Sequence, residues 1–236
     1  QNTNGIYSQL SPLVRKIGYN FHNKALLVQA LKHRSYLSVS NEGRLHSNER
    51  LELLGDAVLG LVVTKHLYQK YPDREEGGLT TMKSIIVSRE ILTRVANELK
   101  LGNFVLLSEA EDRAGGRKRP SIIADAFEAI VGAIYLDGGL PRAERFIKRH
   151  LLKKMGEILN EEQNKNFKSL LLEYAQSKNS GPPIYTVKRE EGPDHNKLFT
   201  VEVKIQDQIL GIGKGNSKKK AEQRAAQNAL KKLLII

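Results

Sequence analysis

The apolar stretch at residues 51–63 most limits what this chain can fold into. It is apolar on nearly every face of a helix, which predicts a helix that is largely buried. Glu49, Glu52 and Asp56 nevertheless lie in or beside it, and at about 100° per residue their side chains share one face. Burying unpaired carboxylates costs several kcal/mol each. The fold must therefore bring something cationic to this face.

A second apolar stretch, residues 121–134, repeats the pattern. Its only charges are Asp125 and Glu128, and their spacing of three residues places them on one face of a helix. Small residues would let another helix approach closely: Ala124, Ala129, Gly132 and Ala133. If the two helices pack together, Glu52, Asp56, Asp125 and Glu128 converge.

Such a cluster of carboxylates suits a hard divalent cation. Oxygen ligands without Cys or His favour Mg²⁺, with Mn²⁺ as a substitute. The chain has no cysteine, which excludes disulfides, thiolate zinc sites and iron–sulfur clusters and fits a cytoplasmic protein. A divalent ion beside a phosphate backbone suggests metal-assisted hydrolysis of phosphodiesters.

Two other arrangements could explain buried carboxylates. Arginine or lysine could neutralise them, with Arg50, Lys65 and Arg89 as candidates. A di-iron helical bundle normally needs Glu-x-x-His motifs, and none of the six histidines has Glu three residues before it. Two carboxylate pairs on two otherwise apolar helices favour the divalent metal.

The charge balance points to a polyanionic partner. Lys and Arg number 38 against 26 Asp and Glu, for a net charge of +12, and both halves of the chain are basic. Such a surface commonly meets nucleic acid, although a solvated lysine-rich surface would look the same. With 6% aromatic residues and no Trp, a platform that stacks single-stranded bases is disfavoured.

Hydrophobic periodicity divides the chain into two parts. Helices are predicted at residues 11–17, 24–31, 48–71, 80–101, 121–136 and 141–159. A polar linker follows. Then come a helix at 167–177, strands at 184–189, 198–205 and 208–213, and a last helix from about 217 to 234. No run is long and apolar enough to span a membrane, and the polar residues 1–9 lead us to expect no signal peptide.

The last helix begins with an unusual concentration of cations. Residues 211–217 are glycine-rich but lack the spacing of nucleotide-binding loops, so we interpret them as a turn into the helix. Ser217 can cap the helix, and Lys218, Lys219 and Lys220 fill its first turn. Cations are unfavourable at this end of a helix but can bind phosphate there.

Three blocks resemble, in the right order, the motifs of bacterial ribonuclease III. They are NERLELLGD at residues 48–56, EGGLT at 76–80 and DAFEA at 125–129. Residues 192–195, 199–203 and 213–222 resemble a double-stranded RNA-binding domain. The resemblance covers nearly the whole chain.

The resemblance implies both fold and activity. The fold would be a mainly α endonuclease domain over residues 1–157, a linker over 158–165, and a small α+β (α-β-β-β-α) double-stranded RNA-binding domain over 166–236. The enzyme would cleave both strands of double-stranded RNA by Mg²⁺-dependent hydrolysis, leaving 5′-phosphate and 3′-hydroxyl ends with short 3′ overhangs. Its substrates would be precursors of ribosomal RNA and other RNAs, including messenger and transfer RNA. A homodimer would present one carboxylate cluster to each strand of the duplex.

The resemblance also implies roles for individual residues. Metal binding and catalysis would fall to Glu52, Asp56, Asp125 and Glu128, with support from Glu49 and Glu76. RNA contacts would come from His195 and Glu173 in the minor groove and from Ser217, Lys218 and Lys219 at phosphates. These contacts would recognise the shape of A-form RNA.

One position departs from the family pattern. Leu172 stands where family members usually carry a Gln that can hydrogen-bond in the minor groove. This replacement weakens the expectation of that contact and of any site preference it gives.

Two other functions remain open from the sequence. Some relatives have lost catalysis and act as RNA-binding or ribosome-associated proteins, but here every acidic position is present. A DNA nuclease is disfavoured because the tail domain targets A-form helices.

Overall fold

The computed structural model describes residues 3–161, 166–193 and 197–235. The chain divides into two compact units, Gln1–Glu161 and Glu162–Ile236. The first unit thus extends past residue 157, because Ile158 is buried in its core. Among the described helices, none is long and apolar enough to cross a membrane.

The described part of the first unit is built of helices. The α-helices are α1 Thr3–Gln9, α2 Ser11–Ile17, α3 Lys24–Ala30, α4 Leu37–Ser40, α5 Glu49–Lys70, α6 Glu76–Ile86, α7 Arg89–Glu98, α8 Glu109–Arg113, α9 Pro120–His150 and α10 Met155–Asn160. Short 3-10 turns lie at Arg34–Tyr36, Arg44–His46, Leu101–Asn103, Gly116–Lys118 and Leu152–Lys154.

Helices α5 and α9 form the centre of this unit. Many of their apolar side chains, among them Leu59, Val63, Phe127 and Ile130, are fully buried in one hydrophobic core with α3 and α7. Helix α5 ends just before Pro72, as predicted. The mainly helical character of this part, expected from its periodicity, is confirmed.

Helix α9 bends in the middle, and hydrogen bonds to one of its carboxylates hold it near the bend. Gly139 has φ 74° and ψ 177°, so the helical path bends there, between the helices predicted at 121–136 and 141–159. The buried Asp137 carboxylate accepts hydrogen bonds from the Tyr19 hydroxyl (2.7 Å) and from the backbone N–H of His22 (2.8 Å) and Asn23 (2.7 Å). These hydrogen bonds connect the segment before α3 to the bend in α9.

Two predicted helices are broken in the structure. The single helix predicted over 80–101 is wrong, because α6 ends at Ile86 and the Ser88 hydroxyl caps a new helix by accepting from the Ile91 N–H. The helix predicted over 141–159 is also wrong. It ends at His150, and a 3-10 turn separates it from α10. Apolar spacing continues across both breaks, which is why periodicity alone misses them.

The second unit has the predicted order α-β-β-β-α. Helix α11 (Phe167–Ser177) is followed by β1 (Ile184–Glu191), β2 (Leu198–Ile205) and β3 (Gln208–Gly215), and then by α12 (Lys218–Lys232). The strands form an antiparallel sheet in the order β1-β2-β3. Its small core joins α11, β2, β3 and α12.

The glycines before α12 belong to a strand and not to a turn. The expectation of a turn at 211–217 is wrong, since β3 runs through Gly211, Gly213 and Gly215. A Cβ on any of the three would lie 2.2–2.6 Å from backbone atoms of α12. Helix α12 therefore rests directly on the strand.

Candidate functional site

Two glycines allow α5 and α9 to touch backbone to backbone. A Cβ on Gly55 would lie 1.8 Å from the Glu128 carbonyl oxygen, and one on Gly132 would lie 2.3 Å from the Leu51 carbonyl oxygen. Because the helices meet here without side chains between them, the residues that flank the contact are brought together. Glu52 lies beside it on α5, and Glu128 takes part in it on α9.

Three carboxylates converge at this contact. One carboxylate oxygen from each of Glu52, Asp125 and Glu128 lies within 4.8 Å of the others. All three side chains are half-buried. The convergence across the two helices, predicted from helix geometry, is therefore present for three of the four predicted residues.

Burial, followed by the charges of neighbouring carboxylates, disturbs the ionisation of these groups. Burial raises the pKa of Glu128 to about 7, and the charges of Asp56, Glu52 and Asp125 add to the effect. Burial is also the main cause of the raised pKa of Asp125, and of that of Glu52, where the Asp125 charge adds to it. The fold holds like charges close together here, which lowers the stability of the protein when no cation is bound.

The other predicted acidic residues lie at different distances from this group. Asp56 is exposed on α5, one turn after Glu52. Burial is the main cause of the raised pKa of Glu128, and the nearby charge of Asp56 is the next largest. Glu49 precedes Glu52 by one turn and approaches Arg34 at 4.0 Å. Glu76 is exposed on α6, where its carboxylate accepts from the Thr80 hydroxyl at 2.8 Å. Within one chain Glu76 is not part of the three-residue group.

Ion pairing does not account for the cluster. In the part of the chain that the structure describes, none of Glu52, Asp125 and Glu128 forms an ion pair. Lys65, one of the three candidate cations, is held by Glu144 at 3.2 Å. Arg89 at the start of α7 lies near enough to oppose the rise that burial causes in the pKa of all three carboxylates.

The residues of the cluster fit a hard divalent cation. The donors are carboxylate oxygens, which Mg²⁺ and Mn²⁺ prefer. Their close approach without ion pairs among the described residues leaves a concentration of negative charge, and a bound cation would relieve it.

The predicted RNA contacts of the second unit lie at the beginning of α12 and on α11. The Ser217 hydroxyl caps α12 by accepting from the Lys220 N–H at 3.2 Å. Lys218 pairs with Glu190 at 3.0 Å, whereas Lys219 is exposed. Glu173 is exposed on α11, next to Leu172, whose apolar side chain is 37% exposed. His195 lies outside the described residues.

Sequence reasoning missed an exposed apolar stripe on α5. Leu53 is 76% exposed, Leu61 is 55% exposed and Tyr68 is 73% exposed. With the exposed Ala57 and Thr64, they recur at helical spacing along the surface of the helix. Because this helix is apolar on nearly every side, its sequence pattern predicts burial all round and does not distinguish core residues from exposed ones.

Family models cover both units. A model described as Ribonuclease-III-like matches residues 23–155, and one described as Double-stranded RNA binding motif matches residues 167–233. These matches confirm the resemblance drawn from the motifs.

Curated relatives and a solved structure agree with the models. The chain is 43% identical to Ribonuclease 3 of Desulforamulus reducens, over 95% of this chain and 92% of the relative. It is 45% identical to Ribonuclease 3 of Geobacillus kaustophilus, over 96% of this chain and 92% of the relative. A solved nuclease domain of ribonuclease III from Campylobacter jejuni, described for flexibility in a region involved in dimer formation, is 40% identical with a TM-score of 0.57. That match covers 61% of this chain and 96% of the solved one.

Proposed function

The chain belongs to the ribonuclease III family of double-stranded RNA endoribonucleases, and from that premise we propose that it cleaves both strands of RNA duplexes by Mg²⁺-dependent hydrolysis. The proposed products carry 5′-phosphate and 3′-hydroxyl ends with short 3′ overhangs. The observation that carries the proposal is the group Glu52, Asp125 and Glu128, in which carboxylates converge without an ion pair among the described residues.

We assign metal binding and catalysis to this group together with Asp56. A bound Mg²⁺ supplies an electrophile that lowers the pKa of water and neutralises charge that develops on the phosphate. Glu52 and Asp56 come from α5, and Asp125 and Glu128 come from α9, so the contact at Gly55 and Gly132 sets their spacing. Glu49, which borders the group, is proposed as a supporting acidic residue. Glu76 is proposed in the same role from a partner subunit, because it stands apart within one chain.

The carboxylates must be ionised to act as ligands. Because burial, followed by the neighbouring carboxylates, raises the pKa of Glu128 to about 7, this residue holds a proton through mildly acidic pH when no cation is present. Metal binding therefore displaces that proton below about pH 7 and becomes weaker as the pH falls.

A homodimer is proposed as the active form. The exposed stripe of Leu53, Leu61 and Tyr68 on α5 is an apolar surface of the kind that self-association buries. A two-fold dimer would direct one carboxylate group at each strand of a duplex. The relative from Campylobacter jejuni, whose nuclease domain has a region involved in dimer formation, supports this proposal.

The second unit is proposed to hold the substrate. Lys218 and Lys219 stand at the N-terminus of α12, where phosphates bind, and Ser217, Glu173 and His195 are proposed as further contacts. Precursors of ribosomal RNA and other structured RNAs are the proposed substrates, and the cytoplasm is the proposed location.

A cleavage assay on a long double-stranded RNA tests the chemistry. With Mg²⁺ we expect cutting to products with 5′-phosphate ends, and with EDTA we expect none. Glu128→Gln is expected to abolish cleavage while RNA binding is retained, because the amide removes a charged ligand and keeps the shape. Tight binding without cutting in either Mg²⁺ or Mn²⁺ would instead favour the catalytically inactive RNA-binding protein.

A further inference from the structure

Arg89 occupies a defined position beside the carboxylate group. It is the first residue of α7, and Ser88 caps that helix. One turn later, the Thr93 hydroxyl donates to the Arg89 carbonyl oxygen (2.7 Å) and lies 3.1 Å from the carbonyl oxygen of Pro120, the first residue of α9. The beginning of α7 is therefore held at the first turns of α9, just before Asp125.

The Arg89 charge faces the three carboxylates without pairing to them. It opposes the rise in pKa that burial causes in Glu52, Asp125 and Glu128. Arg89 is nevertheless exposed, and in the described ranges of the chain it forms no ion pair. The exposed guanidinium is therefore near the carboxylate group and open to an incoming group.

A permanent cation at this place needs an anionic partner other than the carboxylates. A divalent cation bound to the carboxylates weakens their attraction for Arg89 and itself repels the guanidinium, so the guanidinium gains less from the site itself. A phosphodiester entering the site carries its negative charge on two non-bridging oxygens. The N–H donors of a guanidinium can bind both of these oxygens at once.

We propose that Arg89 binds the phosphodiester backbone of the RNA strand presented to the carboxylate group and so positions it for cleavage. Arg89 is then a substrate-binding residue of the first unit, additional to the contacts proposed for the second. This inference rests on the proposed function, since it needs RNA to be brought to the cluster.

The first test measures RNA binding without cleavage. In the Glu128→Gln background, the Kd for a defined short RNA duplex is measured across a series of salt concentrations, alone and with Arg89→Ala, Arg89→Lys or Arg145→Ala. Arg145 is a matched control, since it is an exposed arginine on the half of α9 beyond the Gly139 bend. We expect Arg89→Ala to raise the Kd about tenfold and to reduce the salt slope by about one. Arg89→Lys should recover part of the affinity, and Arg145→Ala should leave the slope unchanged.

The second test separates phosphate binding from a purely electrostatic effect on the carboxylates. Binding of Mn²⁺ to the RNA-free protein is measured with Glu128 intact, and cleavage by the same proteins is measured in Mg²⁺. We expect Arg89→Ala to leave Mn²⁺ binding equal or tighter, because a repelling cation is removed, while the KM for cleavage rises about tenfold. Weaker Mn²⁺ binding with an unchanged salt slope would overturn the proposal and assign Arg89 to support of the cluster.

The two proposals can fail separately. If the parent protein cleaves RNA and Glu128→Gln does not, the proposed function stands, and an Arg89→Ala protein that matches Arg145→Ala in salt slope and KM overturns the role of Arg89 alone. If the parent protein does not cleave RNA, the proposed function fails. The salt slope then still reports whether Arg89 contacts the backbone.

Discussion

At the scale of single residues, Glu128 shows that the carboxylate site lowers the stability of the metal-free protein. Its carboxyl group is half-buried, and three other carboxylates act on it, so its pKa lies near 7. The folded chain then binds a proton that the unfolded chain has released above the ordinary pKa of a glutamate. Functional sites commonly hold groups whose ionisation is disturbed in this way.

The raised pKa of Glu128 predicts a pH-dependent cost in the metal-free protein. Between the ordinary glutamate pKa and about 7 the folded state binds more protons than the unfolded state, so stability falls as the pH rises through this window. Glu128→Gln removes that loss. In EDTA we expect its melting temperature to equal that of the parent near pH 4.5 and to exceed it by a few degrees at pH 8.

The control for this experiment is Glu157→Gln, on the exposed surface of α10. It should follow the parent at every pH. A melting temperature for Glu128→Gln that runs parallel to the parent from pH 4.5 to pH 8 would show that burial and neighbouring charges do not strain Glu128.

Some residues could be assigned from the sequence because local geometry decides them. Glu52, Asp125 and Glu128 follow from charges on one face of each apolar helix, and the structure brings them together. Glu76 could be assigned only by resemblance, because its position depends on how distant helices pack. The sequence offers Arg89 as a possible cation for the cluster. Its exposed position, without an ion pair among the described residues, depends on where α7 begins, and apolar spacing does not predict that start.

At the scale of elements, the contact between α5 and α9 determines the spacing of the carboxylates. Gly55 and Gly132 bring the two backbones together, and alanine at either position would collide with a carbonyl oxygen of the other helix. Small residues on the second helix predicted a close approach. The particular pair in contact depends on the register of the two helices, which apolar periodicity does not contain.

Gly132→Ala is expected to separate the helices. Its Cβ would lie 2.3 Å from the Leu51 carbonyl oxygen, and overpacking of this kind costs roughly 1–3 kcal/mol. Because Glu52 follows Leu51, Mn²⁺ binding should weaken together with stability. Urea unfolding and Mn²⁺ titration of the same preparations measure both effects.

Gly156→Ala gives a matched comparison, since nothing lies within 4 Å of a Cβ at that helical position. It should leave metal binding unchanged and stabilise α10 by up to about 1 kcal/mol. If Gly132→Ala keeps the parent stability and Mn²⁺ affinity, the helices have room to move apart and the glycine contact does not set the site.

At the scale of the whole molecule, the exposed stripe on α5 bears on assembly. Leu53, Leu61 and Tyr68 lie on the surface of the same helix that carries Glu52 and Asp56. A partner that covers this stripe would also stand close to the carboxylate group. The sequence predicted the order of the two units, but a helix that is apolar on every side could not reveal which of its sides faces a partner.

If the protein is a dimer as proposed, Leu53→Glu is expected to convert it to a monomer, because it places a charge within the apolar surface. Sedimentation velocity at micromolar concentration measures the change, and cleavage of both strands should fall with it. Val39→Glu changes an equally apolar but separate residue, 52% exposed on α4, and should remain dimeric. A parent protein that sediments as a monomer, or a Leu53→Glu protein that stays dimeric, would count against this interface.

The face of β3 that packs against α12 carries glycines, and this limits which mutations the gene can tolerate. Every single-nucleotide change in a glycine codon that substitutes another amino acid introduces a Cβ, and at Gly211, Gly213 and Gly215 there is no room for one beneath α12. The alternating residues Ile212 and Lys214 face away and are exposed. A saturation library of this strand should therefore show intolerance at every second codon. The least mutable positions of the RNA-binding unit would then lie in a strand that supplies none of its proposed RNA contacts.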